Sequence, residues 1–160
     1  MGDVKIMLKN KTKYALRAIQ AIAKEGQSKP VTTAELANIT DISHKFLEQI
    51  LFELKQAGFL TSRKGSKGGY LLARPAEKIS LGEIIRIMEG PIALVPCVSQ
   101  KLGEVPCDDC PDPRTCGFRI VFRQVRNETA HILDTKTIFD VVNIERELTQ
   151  SQISPSDYQI

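Results

Sequence analysis

The sequence predicts a mainly α-helical chain with one small β-hairpin. Three observations carry this. Short stretches of helical apolar spacing fill the first 58 residues, two β-prone runs flank a glycine-rich basic loop, and a longer helical stretch follows a cysteine-bearing segment without periodicity. A chain of 160 residues, 42% of them hydrophobic, can bury one ordinary core with an appendage. No apolar run reaches the roughly 18 residues of a membrane span, and Met1 to Ile6 lack the basic-then-apolar order of a secretory signal. A cytoplasmic protein with no membrane partner is the expectation.

From Lys13 to Lys24, apolar residues at Tyr14, Ala15, Ala18, Ile19, Ala21 and Ile22 form one stripe, and Gly26 is a stop signal. Thr32-Thr33-Ala34-Glu35 opens a second, brief helix with Leu36, Ala37 and Ile39 on its buried side, because a Thr side chain can cap and Glu35 can reach back. Thr40-Asp41 reads as its break. Ser43 is placed to cap a third helix that runs to about Gln56, with Phe46, Leu47, Ile50, Leu51 and Leu54 in helical register and Gly58 at its end. The connection Thr40-Asp41-Ile42 is as short as that of a helix-turn-helix, which aims its second helix away from the body of the domain.

The β-prone runs are Phe59 to Ser62 and Tyr70 to Ala73. Between them the loop from Arg63 to Gly69 holds three cations, Arg63, Lys64 and Lys67, and no carboxylate. Such a tip can enter a minor groove or contact phosphate, and a hairpin directly after a recognition helix is the wing of a winged helix. Residues 1–90 carry 15 Lys/Arg against 9 Asp/Glu, while 91–160 carry 7 against 10. A basic front half suits a polyanionic partner, here double-stranded DNA.

Ser80-Leu81-Gly82-Glu83 is a capping box opening a helix with Leu81, Ile84, Ile85 and Met88 on one side, and Gly90-Pro91 ends it. Residues 91–117 are rich in Pro, Asp and Gly and contain all four cysteines. A long helix is expected from Phe118 to about Leu133, then another helix or turn through Ile138 to Ile144, and a polar tail. The excess apolar surface of the long helix calls for a second chain, so a homodimer is expected. The expected organisation is a DNA-binding winged helix-turn-helix over 1–90, a cysteine-rich sensor loop over 91–117, a dimerisation region over 118–150 and a tail over 151–160.

Cys97, Cys107, Cys110 and Cys116 lie within 20 residues of one another, which in an intracellular chain points to metal or redox chemistry. Spacing alone leaves three readings open: an iron–sulfur cluster, a zinc site of unusual spacing, or a metal-free thiol that senses oxidant or persulfide. A zinc-held loop that docks a protein partner is the alternative to a regulator. With only His44 and His131, no phosphate loop and no nucleophile motif, catalysis is not expected.

The stretches Lys13-Tyr14-Ala15, Ser43 to Leu51, Gly58-Phe59-Leu60 and Lys64 to Leu72 resemble the bacterial winged-helix transcription regulators that include IscR, NsrR and CymR. The resemblance spans about residues 8–145. It implies a homodimer held by the long helix, with Ser43, His44, Lys45 and Glu48 in the major groove and the wing around Lys64 in the minor groove. Glu48 matches a position that reads a base edge, where a carboxylate accepts from cytosine N4. It also implies Cys97, Cys110 and Cys116 as ligands of a 2Fe-2S or 4Fe-4S cluster. The chain departs from that pattern in a longer interval from Cys97 to Cys110, in the additional Cys107, and in Arg119, which stands where IscR supplies a His. The fourth ligand stays open among Cys107, an acidic residue and a group from the other subunit.

Overall fold

The computed structural model describes residues 8–26, 28–65, 68–99, 105–108, 110 and 112–151. Lys67 and the tail beyond Ser151 lie outside the described residues. The elements run α1 (Asn10–Glu25), α2 (Thr33–Thr40), α3 (His44–Gln56), β1 (Leu60–Arg63), β2 (Gly69–Leu72), α4 (Leu81–Met88), α5 (Gly117–Thr135) and α6 (Ile138–Ser151), with 3-10 turns at Ala76–Lys78 and Pro96–Val98.

One core organises the winged helix. Ala15, Ala18, Ile19 and Ile22 of α1 meet Leu36 of α2, Leu47, Ile50, Leu51 and Leu54 of α3, Leu60 of β1, and Ile79 and Ile84 around α4. Both expected capping boxes form: the Thr32 hydroxyl accepts from the Glu35 amide, the Ser80 hydroxyl from the Glu83 amide, and each Glu returns to its cap residue. Each cap of this kind contributes about 1 kcal/mol. Ser43 occupies the cap position of α3, but its side chain makes no capping bond, so the sequence expectation for its hydroxyl is corrected. The chain turns instead through Asp41 in the left-handed region (φ 55°), with Ile42 buried beneath it. At the far end of α3, Phe59 N–H donates to the Leu54 carbonyl and Gly58 N–H to that of Lys55, the paired bonds of a Schellman stop.

β1 and β2 pair antiparallel, Leu60 opposite Leu72 and Arg63 opposite Gly69. Val31 adds a third, one-residue strand by exchanging both backbone bonds with Tyr70 at 2.9 and 2.8 Å. This approach needs glycine at 69: φ there is +148°, and a Cβ would fall 2.6 Å from the Val31 carbonyl oxygen.

The C-terminal helices divide between two surroundings. α6 packs on α1 through Ile138 and Val142, and Glu145 accepts from Gln20 at 2.6 Å and pairs with Lys24. α5 buries none of its residues fully. It is fixed to α4 by the two-pronged Arg86–Asp134 pair at 2.5 and 2.8 Å, which lies over Gly82. These hydrogen bonds hold the Asp134 carboxyl below the usual range. At the other end of α4, Glu89 accepts from the Lys9 amide at 2.7 Å and the buried Thr12 hydroxyl at 2.5 Å, so a residue just short of the cysteine segment also anchors the start of α1. Burial works against the charge of Glu89, yet the Thr12 and Lys9 bonds keep its carboxyl below the usual range.

Candidate nucleic-acid interface and cysteine segment

α3 is amphipathic, so the residues that build the core also determine what faces out. With Leu47, Ile50, Leu51 and Leu54 inward, the outward arc carries His44, Lys45, Glu48, Gln49, Phe52 and Lys55, all exposed. Phe46 is half-buried and meets Tyr14 edge to face at 5.8 Å, an arrangement worth about 1 kcal/mol that steadies the first turn of α3 on α1. His44 Nδ1 lies 3.6 Å from Glu48 Oε1, one turn along the same face. Lys55 Nζ donates to Ser62 Oγ at 2.7 Å, tying the last turn of α3 to the first strand of the wing.

Ser43, Arg63 and Lys64 are exposed. The structure therefore brings six of the seven residues expected at the interface onto α3 and the adjoining wing, and the seventh, Lys67, lies outside the described residues. Gln49 and Phe52 were not singled out from the sequence. Gln49 stands four residues after Lys45 and Phe52 four after Glu48, one helical turn along the same face, and that spacing is the signal that finds them.

In the cysteine segment, Cys97 is buried (5% exposed) in the Pro96–Val98 turn, while Cys107, Cys110 and Cys116 are half-buried and all four are free thiols. The Cys110 amide donates to the Cys107 carbonyl at 3.1 Å, closing a turn that presents both side chains together. The thiols act on one another, Cys97 feeling Cys107 most and Cys110 next, and Cys110 feeling Cys116 most and Cys107 next. Burial, then the neighbouring Cys107, pushes the Cys97 thiol up, with Arg119 pulling the other way. Burial, then Cys116, pushes Cys110 up against an opposing bond from the Asp112 amide. Thiols held protonated are poor nucleophiles, and a metal would take them as thiolates with proton release.

The donor set suits iron or zinc chemically. Among the described residues no three Cys, His, Asp or Glu side chains converge as a metal site. Arg119 spans the segment from the first turn of α5, donating to the Cys97 carbonyl at 3.2 Å and the Pro113 carbonyl at 3.4 Å. Its guanidinium cannot serve as a metal ligand, and its observed place is that of a brace. Half-buried Arg119, Arg123 and Arg126 follow one face of α5, while exposed Phe118, Val121, Val125 and Ile132 follow another.

Residues 8–144 match the family described as Rrf2: iron-dependent transcriptional regulator. The chain belongs to the Rrf2 family. Within it, the chain is 36% identical over 139 residues to an rrf2-like HTH-type transcriptional regulator of Rhodobacter capsulatus, covering 85% of this chain and 92% of that one. Among solved structures it is similar to CymR, the global cysteine regulator of B. subtilis, with a TM-score of 0.71 and 29% identity over 87% of this chain and 98% of the other. It is likewise similar to T. potens IscR, with a TM-score of 0.68 and 25% identity over 96% of both chains. Rrf2 proteins are transcription regulators that bind DNA, not enzymes, and this chain has their winged-helix fold. No helix among the described residues is long and apolar enough to cross a membrane.

Proposed function

We propose that this Rrf2 protein is a homodimeric, sequence-specific regulator whose affinity for double-stranded operator DNA is set by the state of the segment from 91 to 117. The observation that carries the DNA-binding part is the outward arc of α3 tied by Lys55 to a wing that ends in Arg63 and Lys64. In this reading Ser43, His44, Lys45 and Glu48 face base edges and phosphates of the major groove, and Arg63, Lys64 and Lys67 meet the backbone or the minor groove. Dimerisation is supported by the apolar stripe of α5, where Phe118 is 77% exposed. Two recognition helices then read two half-sites, and affinity depends on the angle between them.

In this reading the cysteine segment acts on that angle. Arg119 fastens it to α5, and Glu89, at its other end, is fastened to the start of α1. The favoured occupant is an iron–sulfur cluster, held by Cys97, Cys110 and Cys116 with Cys107 as the added thiol; it would supply a redox-labile centre. A second reading, thiol–disulfide chemistry without metal, is favoured by four free thiols gathered in one segment, each near enough to act on another.

The test is iron, sulfide and zinc content with an ultraviolet–visible spectrum on protein purified without oxygen, followed by DNA titration at several salt concentrations. Iron with sulfide and charge-transfer absorption supports the cluster, and its absence moves sensing to the thiols or to zinc. Affinity for a selected operator should fall steeply with salt, because each phosphate contact releases counterions. Lys64→Ala should lower affinity across sequences and Glu48→Ala should relax choice at one base pair. Binding unaffected by salt and by both changes would overturn the interface.

A further inference from the structure

The outward arc of α3 is polar with one exception. Phe52 follows Glu48 by four residues and Gln49 by three, and it is 58% exposed. It takes no part in the core, which α3 supplies through Leu47, Ile50, Leu51 and Leu54. The other phenylalanine of the helix, Phe46, is half-buried against Tyr14. An aromatic ring is thus presented to solvent on the face that carries Lys45 and Lys55, next to a wing bearing Arg63 and Lys64. Those cations select a polyanion as the occupant of this face, since an apolar protein partner would have to desolvate them.

Base edges in the major groove offer hydrogen-bonding groups almost throughout. The one apolar feature among them is the 5-methyl of thymine, and cytosine at the same place has none. We propose that Phe52 is a specificity-determining residue that packs against a thymine methyl in each operator half-site. The assignment rests on the reading that α3 lies in the major groove. Four residues of helix advance about 6 Å, which is less than two base steps at about 3.4 Å each. The thymine therefore lies one or two base pairs from the position at which Glu48 reads.

The experiment uses the full chain, purified without oxygen, and an operator enriched by that protein from random duplexes. Each thymine is replaced in turn by uracil, which removes the methyl and leaves every hydrogen-bonding group in place. Binding is followed by fluorescence anisotropy at fixed salt. For the unmodified protein, one uracil position per half-site should weaken binding about fourfold, the value of one buried methyl. That position should lie within two base pairs of the one that Glu48→Ala ceases to discriminate. Phe52→Ala should bind the thymine operator more weakly and be indifferent to uracil there. Phe52→Ala retaining the unmodified protein's full uracil profile, while Lys45→Ala and Lys64→Ala weaken binding, would overturn the role of Phe52 alone. All three variants binding as the unmodified protein does would overturn the placement of α3 in the groove and this assignment with it.

Discussion

Replacing Gly69 by Ala should separate the wing from the body of the domain. The new Cβ would stand 2.6 Å from the carbonyl oxygen of Val31, 2.7 Å from its carbon and 3.0 Å from the Thr32 nitrogen, all backbone atoms that no rotamer change can move. Relief requires β2 to retreat from Val31, which breaks the bonds of 2.9 and 2.8 Å between Val31 and Tyr70. Two backbone bonds contribute about 2 kcal/mol. A side chain at φ +148° adds strain of about 1 to 2 kcal/mol. The expected loss of about 3 to 4 kcal/mol corresponds to a fall in Tm of roughly 10 °C for a chain of this size. Gly65, with φ +107° and nothing within 4 Å of its would-be Cβ, is the control; Gly65→Ala should cost only the strain, about 1 to 2 kcal/mol. Urea denaturation followed by circular dichroism measures both. Equal small losses for the two variants would refute the claim that the wing is anchored through Val31.

Three further outcomes follow from the packing of α5. Val125→Glu places a charge in the exposed apolar stripe and should convert the proposed dimer to monomers in sedimentation velocity without lowering helix content; a dimer of unchanged affinity would locate the interface elsewhere. Arg119→Ala removes the two bonds that brace the cysteine segment, so alkylation of buried Cys97 should accelerate several-fold, and an unchanged rate would show that the segment is held by other contacts. Asp134→Asn should cost at most about 1 kcal/mol at neutral pH, because the Arg86 pair is partly exposed. The folded carboxyl lies below its ordinary value, so its contribution is present above about pH 4 and disappears as acid titrates it in the folded state; the variant and the parent should converge in stability below that point. A difference that persists once the folded carboxyl is protonated would show that the pair does not account for it.

The helices of the winged domain could be read from sequence because each is announced locally. Thr32 with Glu35 and Ser80 with Glu83 are complete starting signals within four residues, and Gly58 is a stop with a single mechanism. What could not be read depends on partners far away in the chain. Val31 pairs through one residue, which leaves no alternation to detect. Glu145 meets Gln20 across 125 positions, so α6 looks like an appendage in sequence and belongs to the core in space. Ser43 has a good capping side chain at the right place, but nothing in its type reveals that the hydroxyl makes no capping bond. Arg119 reads as one more cation on a helix face until the carbonyls of Cys97 and Pro113 are found within its reach. Four cysteines in a loop without periodicity identify a chemistry; which sulfur stands beside which depends on turns such as that from Cys107 to Cys110.

The most direct test of the account compares operator affinity for protein kept without oxygen and for the same protein after mild hydroperoxide treatment, with Cys97→Ser carried through both conditions. Coupling between a sensing segment and a DNA-binding surface is typically worth 5- to 150-fold in affinity. A change of that size is expected between the two forms of the parent, and little or none between the two forms of Cys97→Ser. Equal affinity of both parent forms, with the thiols or metal demonstrably altered, would contradict it.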